Sequence, residues 1–200
     1  MSGEYLAAEE ARREVWELAI AVVGLAIIYS YPLLPLFPQA LIAVVSAFVP
    51  HELAHRYVAE SIGLRARFRL SPAHLASSLA LCLLTMGAVK VGMAGAVVIS
   101  GWTTPDDEGE IALAGPLANL VVAAIAACLG PASPLFTLVA LVNASLAIFN
   151  LLPVPPLDGY RVARWREEYW AGAFALSLIC AALVSLSAVQ DILGWLLWRW

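Results

Sequence analysis

Apolar residues run in long blocks along the chain, interrupted by prolines, glycines and short charged stretches. A bilayer core about 30 Å thick takes roughly 20 mostly apolar residues in a spanning helix. By that measure Val15–Tyr31 predicts a first span, ended by Pro32, Pro35 and Pro38, and Gln39–Glu60 predicts a second. Leu64–Leu70 (LRARFRL) alternates apolar and basic residues, the period-2 pattern of a short strand at the membrane surface. Ala73–Met86 is apolar but short for a span, and the Gly-, Val- and Ala-rich stretch Gly87–Gly101 reads as a hairpin or irregular segment. Pro105–Glu110 (PDDEGE) is a polar loop with acids suited to a helix start. Ile111–Leu129 and Leu135–Leu152 predict two more spans across the turn Gly130–Pro134. The proline-broken stretch Pro153–Gly159 and a last span, Trp170–Val189, follow. Trp195, Trp198, Arg199 and Trp200 form an expected interfacial anchor.

The expected architecture is an all-α polytopic membrane protein. It has about six membrane segments and a short strand or hairpin element beside the functional residues. One domain fills residues 1–200, with a polar N-terminal segment at 1–14 and a functional core at about 39–166. Composition supports this: 62% of the 200 residues are hydrophobic and 13% charged, and the mean hydropathy is +0.85. Soluble domains average roughly 45–50% apolar and about 25% charged residues. A net charge of −4 excludes the phosphate-neutralising surface that a nucleic-acid partner requires. The N-terminus lacks the basic, apolar and small-residue sections of a signal peptide, so the first apolar run is expected to be retained. Cys82, Cys128 and Cys180 sit singly in apolar stretches and read as packing residues.

The second predicted span carries His51-Glu52-Leu53-Ala54-His55, an HExxH pattern. Residues i and i+4 share one helix face, so both imidazoles can point at one metal ion, with Glu52 placed to take a proton from a water there. Ionisable groups inside a span are costly and need a polar interior or a partner. A buried polar cluster pinning helices together is the plainer alternative. A zinc site needs a third protein ligand and an open position. Glu60 lies off the His51–His55 stripe and reads as a solvated helix-end charge, and His74, opening an apolar segment, as an interfacial residue. The better candidate is Asp158, in Asn150-Leu-Leu-Pro153-Val-Pro155-Pro156-Leu157-Asp158-Gly159. Three prolines prevent a continuous helix there, and broken backbone at membrane depth is tolerated only against protein or a water-filled cavity. The competing reading is a turn in which Asp158 caps a helix Gly159–Tyr169.

HELAH on a membrane helix, followed about a hundred residues later by NLLPVPPLDG, resembles the site-2 protease family of intramembrane zinc proteases (peptidase family M50) in a compact form without a PDZ domain. Ala114-Gly115-Pro116-Leu117-Ala118-Asn119 resembles the family's Gly-Pro-x-x-Asn element on the intervening helix. The resemblance spans residues 51 to 159. It implies one Zn2+ per chain held by His51, His55 and Asp158, with Glu52 as general base. It also implies that Asn119 and Asn150 line the site towards substrate or the developing oxyanion, and that Gly115 and Pro116 serve close helix packing. The implied activity is hydrolysis of peptide bonds in or near transmembrane segments of other membrane proteins. A lapsed family member acting as a membrane chaperone or binding protein is the alternative, and a metal-ion transporter a further one.

For Asp158 to reach His55, the segment Ala73–Gly101 must return to the side it left. Arg12, Arg13, Arg56, Arg65, Arg67, Arg69, Arg161, Arg164 and Arg166 then share one side, which the positive-inside rule makes cytoplasmic. The expected location is the cell membrane, as a multi-pass protein with its site nearer the cytoplasmic face. The lipid bilayer and a transmembrane protein substrate are the expected partners. Extended substrate residues are expected to pair with an edge strand from Leu64–Leu70 or Val89–Ile99.

Overall fold

A computed structural model describes residues 3–197, so Trp198, Arg199 and Trp200 of the expected anchor lie outside the described residues. Among the described residues there are seven α-helices and one two-stranded sheet. In order they are α1 (Gly3–Ser30), α2 (Phe37–Ser61), β1 (Arg65–Leu70), α3 (Pro72–Leu84), β2 (Gly95–Ser100), α4 (Pro105–Leu129), α5 (Pro134–Asn150), α6 (Asp158–Trp165) and α7 (Glu167–Leu197). Single 3-10 turns at Leu34–Leu36 and Gly130–Ala132 join neighbouring helices. Among the described residues three helical stretches are long and apolar enough to cross a membrane: Leu34–Ser61, Pro105–Ala132 and Glu167–Val189. The α3 and α5 helices are apolar but have only 13 and 17 residues. At 1.5 Å per residue α3 reaches about 20 Å, short of a bilayer core.

Helices α2, α4 and α5 form the centre of the bundle, with α1 on α2 and α7 on α5. Alanines at their contacts, among them Ala43, Ala47, Ala126 and Ala140, let the backbones approach closely. A second apolar cluster joins α1 and α2 to the sheet through Leu25, Ile28, Val44, Phe48 and Phe68.

The first helix begins at Gly3, well before the expected Val15. The stretch EEARREVWE is rich in strong helix formers and carries the Arg13–Glu17 pair at i,i+4 spacing, 2.7 Å apart. This charged extension reaches the sheet. Glu14 accepts the Phe68 N–H at 2.9 Å and Glu17 the Leu70 N–H at 3.1 Å, so two carboxylates of α1 cover the outer edge of β1.

The sheet is antiparallel, with Arg65 opposite Ser100 and Leu70 opposite Gly95. Between the strands the chain leaves as α3 and returns, and Ser71 N–H donates to the Ala94 carbonyl at 2.8 Å where the two ends meet. Thus Ala73–Gly101 comes back to the side it left. In an antiparallel ladder the pairs alternate, and those not bonded across it direct their main-chain groups outward. Phe68 and Leu70 point theirs to α1, so Val97 and Gly95, their partners, point theirs away from β1 on the opposite edge.

The helix expected over Gly159–Tyr169 divides into α6 and α7, because Arg166 is extended (φ −149°, ψ 107°). Leu157, not Asp158, occupies the position before α6, and no side chain caps that helix. The capping reading of Asp158 is therefore set aside.

Candidate metal centre and active site

His51, Glu52 and His55 are buried on the face of α2 that meets α4. Each imidazole is oriented through its Nδ1. His51 Nδ1 donates to Asn119 Oδ1 at 2.7 Å, and His55 Nδ1 donates to the Ile111 carbonyl at 2.6 Å. Both acceptors are on α4. The amide orientation of Asn119 follows from its other side, since its Nδ2 donates to the Ala47 carbonyl (2.8 Å) and to Asn143 Oδ1 (3.0 Å). Asn143 in turn donates to Val139 within α5. With a proton on each Nδ1, both Nε2 atoms present lone pairs, and they face each other at 3.0 Å.

Asp158 arrives from the far side of the chain. Gly159 permits this: a Cβ there would collide with the backbone of Leu151, so only glycine lets the start of α6 settle against the end of α5. Trp170 Nε1 steadies the same corner by donating to the Leu151 carbonyl at 2.7 Å. Asp158 Oδ2 then lies 3.3 Å from His51 Nε2 and 3.2 Å from His55 Nε2.

Three lone-pair donors thus converge within 4.8 Å of one another. Such a meeting is repulsive without a cation or extra protons at its centre. A tetrahedral ion with ligands at about 2.0–2.1 Å separates its donors by about 3.3 Å, close to the spacings observed here. The set of two imidazoles and one carboxylate, each imidazole fixed by a hydrogen bond on its other nitrogen, suits zinc. Glu52 adds a further sign: its Oε2 is buried and has no hydrogen-bond partner.

Gly115 explains how α4 comes so near. A Cβ at this position would meet both imidazoles, so the Gly-Pro element lets the α4 backbone pass over the histidine pair. Asn119 is in the cluster as expected, but in a different posture. It is wholly buried and donates both amide hydrogens to Ala47 and Asn143, which leaves none for a substrate oxygen. Asn150 lines the cavity, with its Nδ2 donating to Leu146 on its own helix at 3.1 Å.

The cluster opens onto a cavity of about 450 Å3. One wall is α2, α4 and the Pro156–Asp158 turn; the other is β2, from Gly95 to Ile99. His74, read from sequence as interfacial, also lines this cavity. Asn143 escaped the sequence reading, although a lone asparagine in the middle of an apolar helix is the kind of residue that needs a buried partner.

An HExxH pair and a distant carboxylate, enclosed by apolar helices of membrane-spanning length, follow the plan of a membrane metalloprotease. A model of peptidase family M50 matches residues 127–184, which include Asp158 but not the histidine pair. The chain is 37% identical over 170 residues to "Putative zinc metalloprotease MJ0611" of Methanocaldococcus jannaschii, covering 80% of this chain and 88% of that one. It is 32% identical over 166 residues to "Putative zinc metalloprotease YwhC" of Bacillus subtilis (66% of this chain, 70% of that one). It is 31% identical over 129 residues to "Putative zinc metalloprotease Rip2" of Mycolicibacterium smegmatis (55% and 50%). No solved structure matches the chain significantly. The chain belongs to peptidase family M50, the site-2 protease family.

Proposed function

We propose that the protein is an intramembrane zinc endopeptidase that hydrolyses peptide bonds in or next to transmembrane segments of other membrane proteins. His51, His55 and Asp158 hold one zinc ion and Glu52 is the general base. The observation that carries this reading is the convergence of His51 Nε2, His55 Nε2 and an Asp158 carboxylate oxygen beside the unpartnered Glu52 Oε2 in one cavity.

A zinc ion held by His51, His55 and Asp158 would supply Lewis acidity to the scissile carbonyl and to a water near neutral pH. Glu52 Oε2 takes the proton released as the water oxygen attacks the carbonyl carbon, and returns it to the leaving amine nitrogen. The α4 partners keep the imidazoles in the tautomer that leaves Nε2 free. A helical substrate keeps its carbonyls in internal hydrogen bonds, so it must unwind before attack. The outward main-chain groups of β2 offer the extended segment replacement partners, as an added strand. The arginine-rich ends near Arg56 and Arg161 support a site nearer the cytoplasmic face.

Cleavage of a purified single-span substrate by protein in liposomes tests the proposal. Wild type should cut, a chelator should stop it, and zinc should restore it. Glu52→Gln should keep one zinc per chain and lose about 10²–10⁴-fold in rate. Cleavage at the wild-type rate by Glu52→Gln would reject the mechanism.

A further inference from the structure

A second cavity, of about 780 Å3, adjoins the first. The two share Thr103, Glu108, Pro156, Leu157 and Arg161 on their walls, so they lie side by side along that stretch. The β2 strand runs along the first cavity and the chain beyond it, at Thr103, enters the wall of the second. An extended peptide that follows β2 past the metal centre is therefore led into this second space.

Its chemistry differs from that of the metal centre. Pro155, Pro156, Leu157 and Trp165 give it apolar sides, and Arg161 and Arg164 give it two positive charges. Arg161 follows Asp158 by three residues on α6, so the two side chains share a helix face about 4.5 Å apart along the axis. Yet Asp158 is engaged by the two histidines, and among the described residues no carboxylate lies within 4 Å of the Arg161 guanidinium. On the same wall Glu108 accepts one hydrogen bond from Thr103 at 3.0 Å, and Arg164 gives one of its donors to the Tyr160 hydroxyl at 2.8 Å. Arg161, which lines both cavities, and the remaining donors of Arg164 are left for a ligand there. A planar guanidinium recognises a carboxylate with two parallel hydrogen bonds.

We propose that Arg161, with Arg164 beside it, forms a substrate subsite for a carboxylate, an acidic side chain or a chain-terminal carboxyl a few residues from the scissile bond. The subsite rests on the peptidase reading for its location but not for its chemistry. A peptide is favoured over an anionic lipid headgroup because Arg161 also lines the cavity that holds Glu52 and the histidine pair.

The test uses the full-length protein in nanodiscs of zwitterionic lipid. Single-span substrates differ only in carrying Asp, Asn or Lys at one scanned position within six residues of the cut. At one position wild type should favour Asp over Asn by about threefold to tenfold in kcat/KM, the scale of one partly exposed charge-assisted hydrogen bond. Arg161→Gln should bring that ratio to about one, and Arg161→Glu should turn the preference to Lys. The same ratio in wild type and Arg161→Gln overturns the subsite, as does a wild-type ratio of one at every position. Binding of the same fluorescent peptides to the Glu52→Gln protein gives a readout without turnover. Charge discrimination there, without any cleavage by wild type, would reject the peptidase reading and keep the subsite. Nanodiscs containing anionic lipid form the last arm. If Arg161→Gln changes only the response to that lipid, the cation serves a headgroup and the proposal fails.

Discussion

The two walls of the cavity are built on opposite terms. On the helical wall each orienting polar atom has its partner: His51 with Asn119, Asn119 with Ala47 and Asn143, His55 with Ile111. On the sheet wall, β2 turns main-chain groups outward over the cavity, while on its neighbour β1 the outward N–H groups of Phe68 and Leu70 are taken by Glu14 and Glu17. A site that must hold an ion in one geometry needs the first kind of wall, because a buried polar network complete in itself has one arrangement. A site that must accept a foreign chain needs the second, because hydrogen bonds already made cannot be offered. The sheet is thus closed on the edge that faces its own protein and open on the edge that faces the cavity.

The strongest way to break the contrast is to open the helical wall. Asn119→Ala removes the acceptor of the His51 proton and leaves the Ala47 carbonyl and Asn143 amide without their partner. Loss of such an orienting contact lowers metal affinity by about 10–100-fold, measured by zinc retention against a competing chelator. Unsatisfied buried groups add about 1–3 kcal/mol of destabilisation. Unchanged zinc affinity would show that the network is a packing device.

How much of this was legible beforehand divides along the same line. The histidine pair could be read directly, because i and i+4 meet on any helix whatever surrounds it. Asp158 could be named from its proline-broken setting and from the family resemblance. Its meeting with the imidazoles depends on Gly159 fitting against Leu151, a contact no local pattern displays. The family resemblance points Asn119 towards substrate or the developing oxyanion, whereas the partners that occupy its amide come from α2 and α5, which no local pattern displays. Alternation at Leu64–Leu70 predicts the first strand, whereas the second lies in a stretch that reads only as a hairpin or irregular segment, and the covered edge of β1 has no local signal. That edge depends on α1 starting at Gly3, and the polar residues before Val15 look like a tail until the carboxylates find the sheet.

A smaller effect is expected on the open wall. Val97 directs its N–H away from β1, so Val97→Pro removes that donor while leaving the ladder bonds to β1 in place. Loss of one main-chain hydrogen bond to substrate, with some crowding from the ring, should lower kcat/KM by about tenfold at unchanged zinc content. Equal kcat/KM for wild type and Val97→Pro would mean that substrate does not add to β2.

The smallest effect belongs to the covered edge, and it decides whether closure of β1 is a device or an accident of folding. Glu17 accepts the Leu70 N–H while pairing with Arg13 at 2.7 Å and reaching Arg69 at 3.7 Å. Glu17→Gln keeps the shape and an acceptor oxygen but removes the charge. Because Arg13 is largely exposed, solvent screening holds the loss to about 0.2–1 kcal/mol. Hydrogen exchange reads it residue by residue. The Leu70 amide should exchange a few-fold faster in Glu17→Gln, while the Val97 amide, unpaired in both proteins, should not change. Adding an uncleaved substrate peptide to the Glu52→Gln background should then slow Val97 and leave Leu70 alone. If the peptide instead protected Leu70 once Glu17 was neutralised, either edge could serve as a template. The carboxylates of α1 would then be what directs substrate to the strand beside the metal centre.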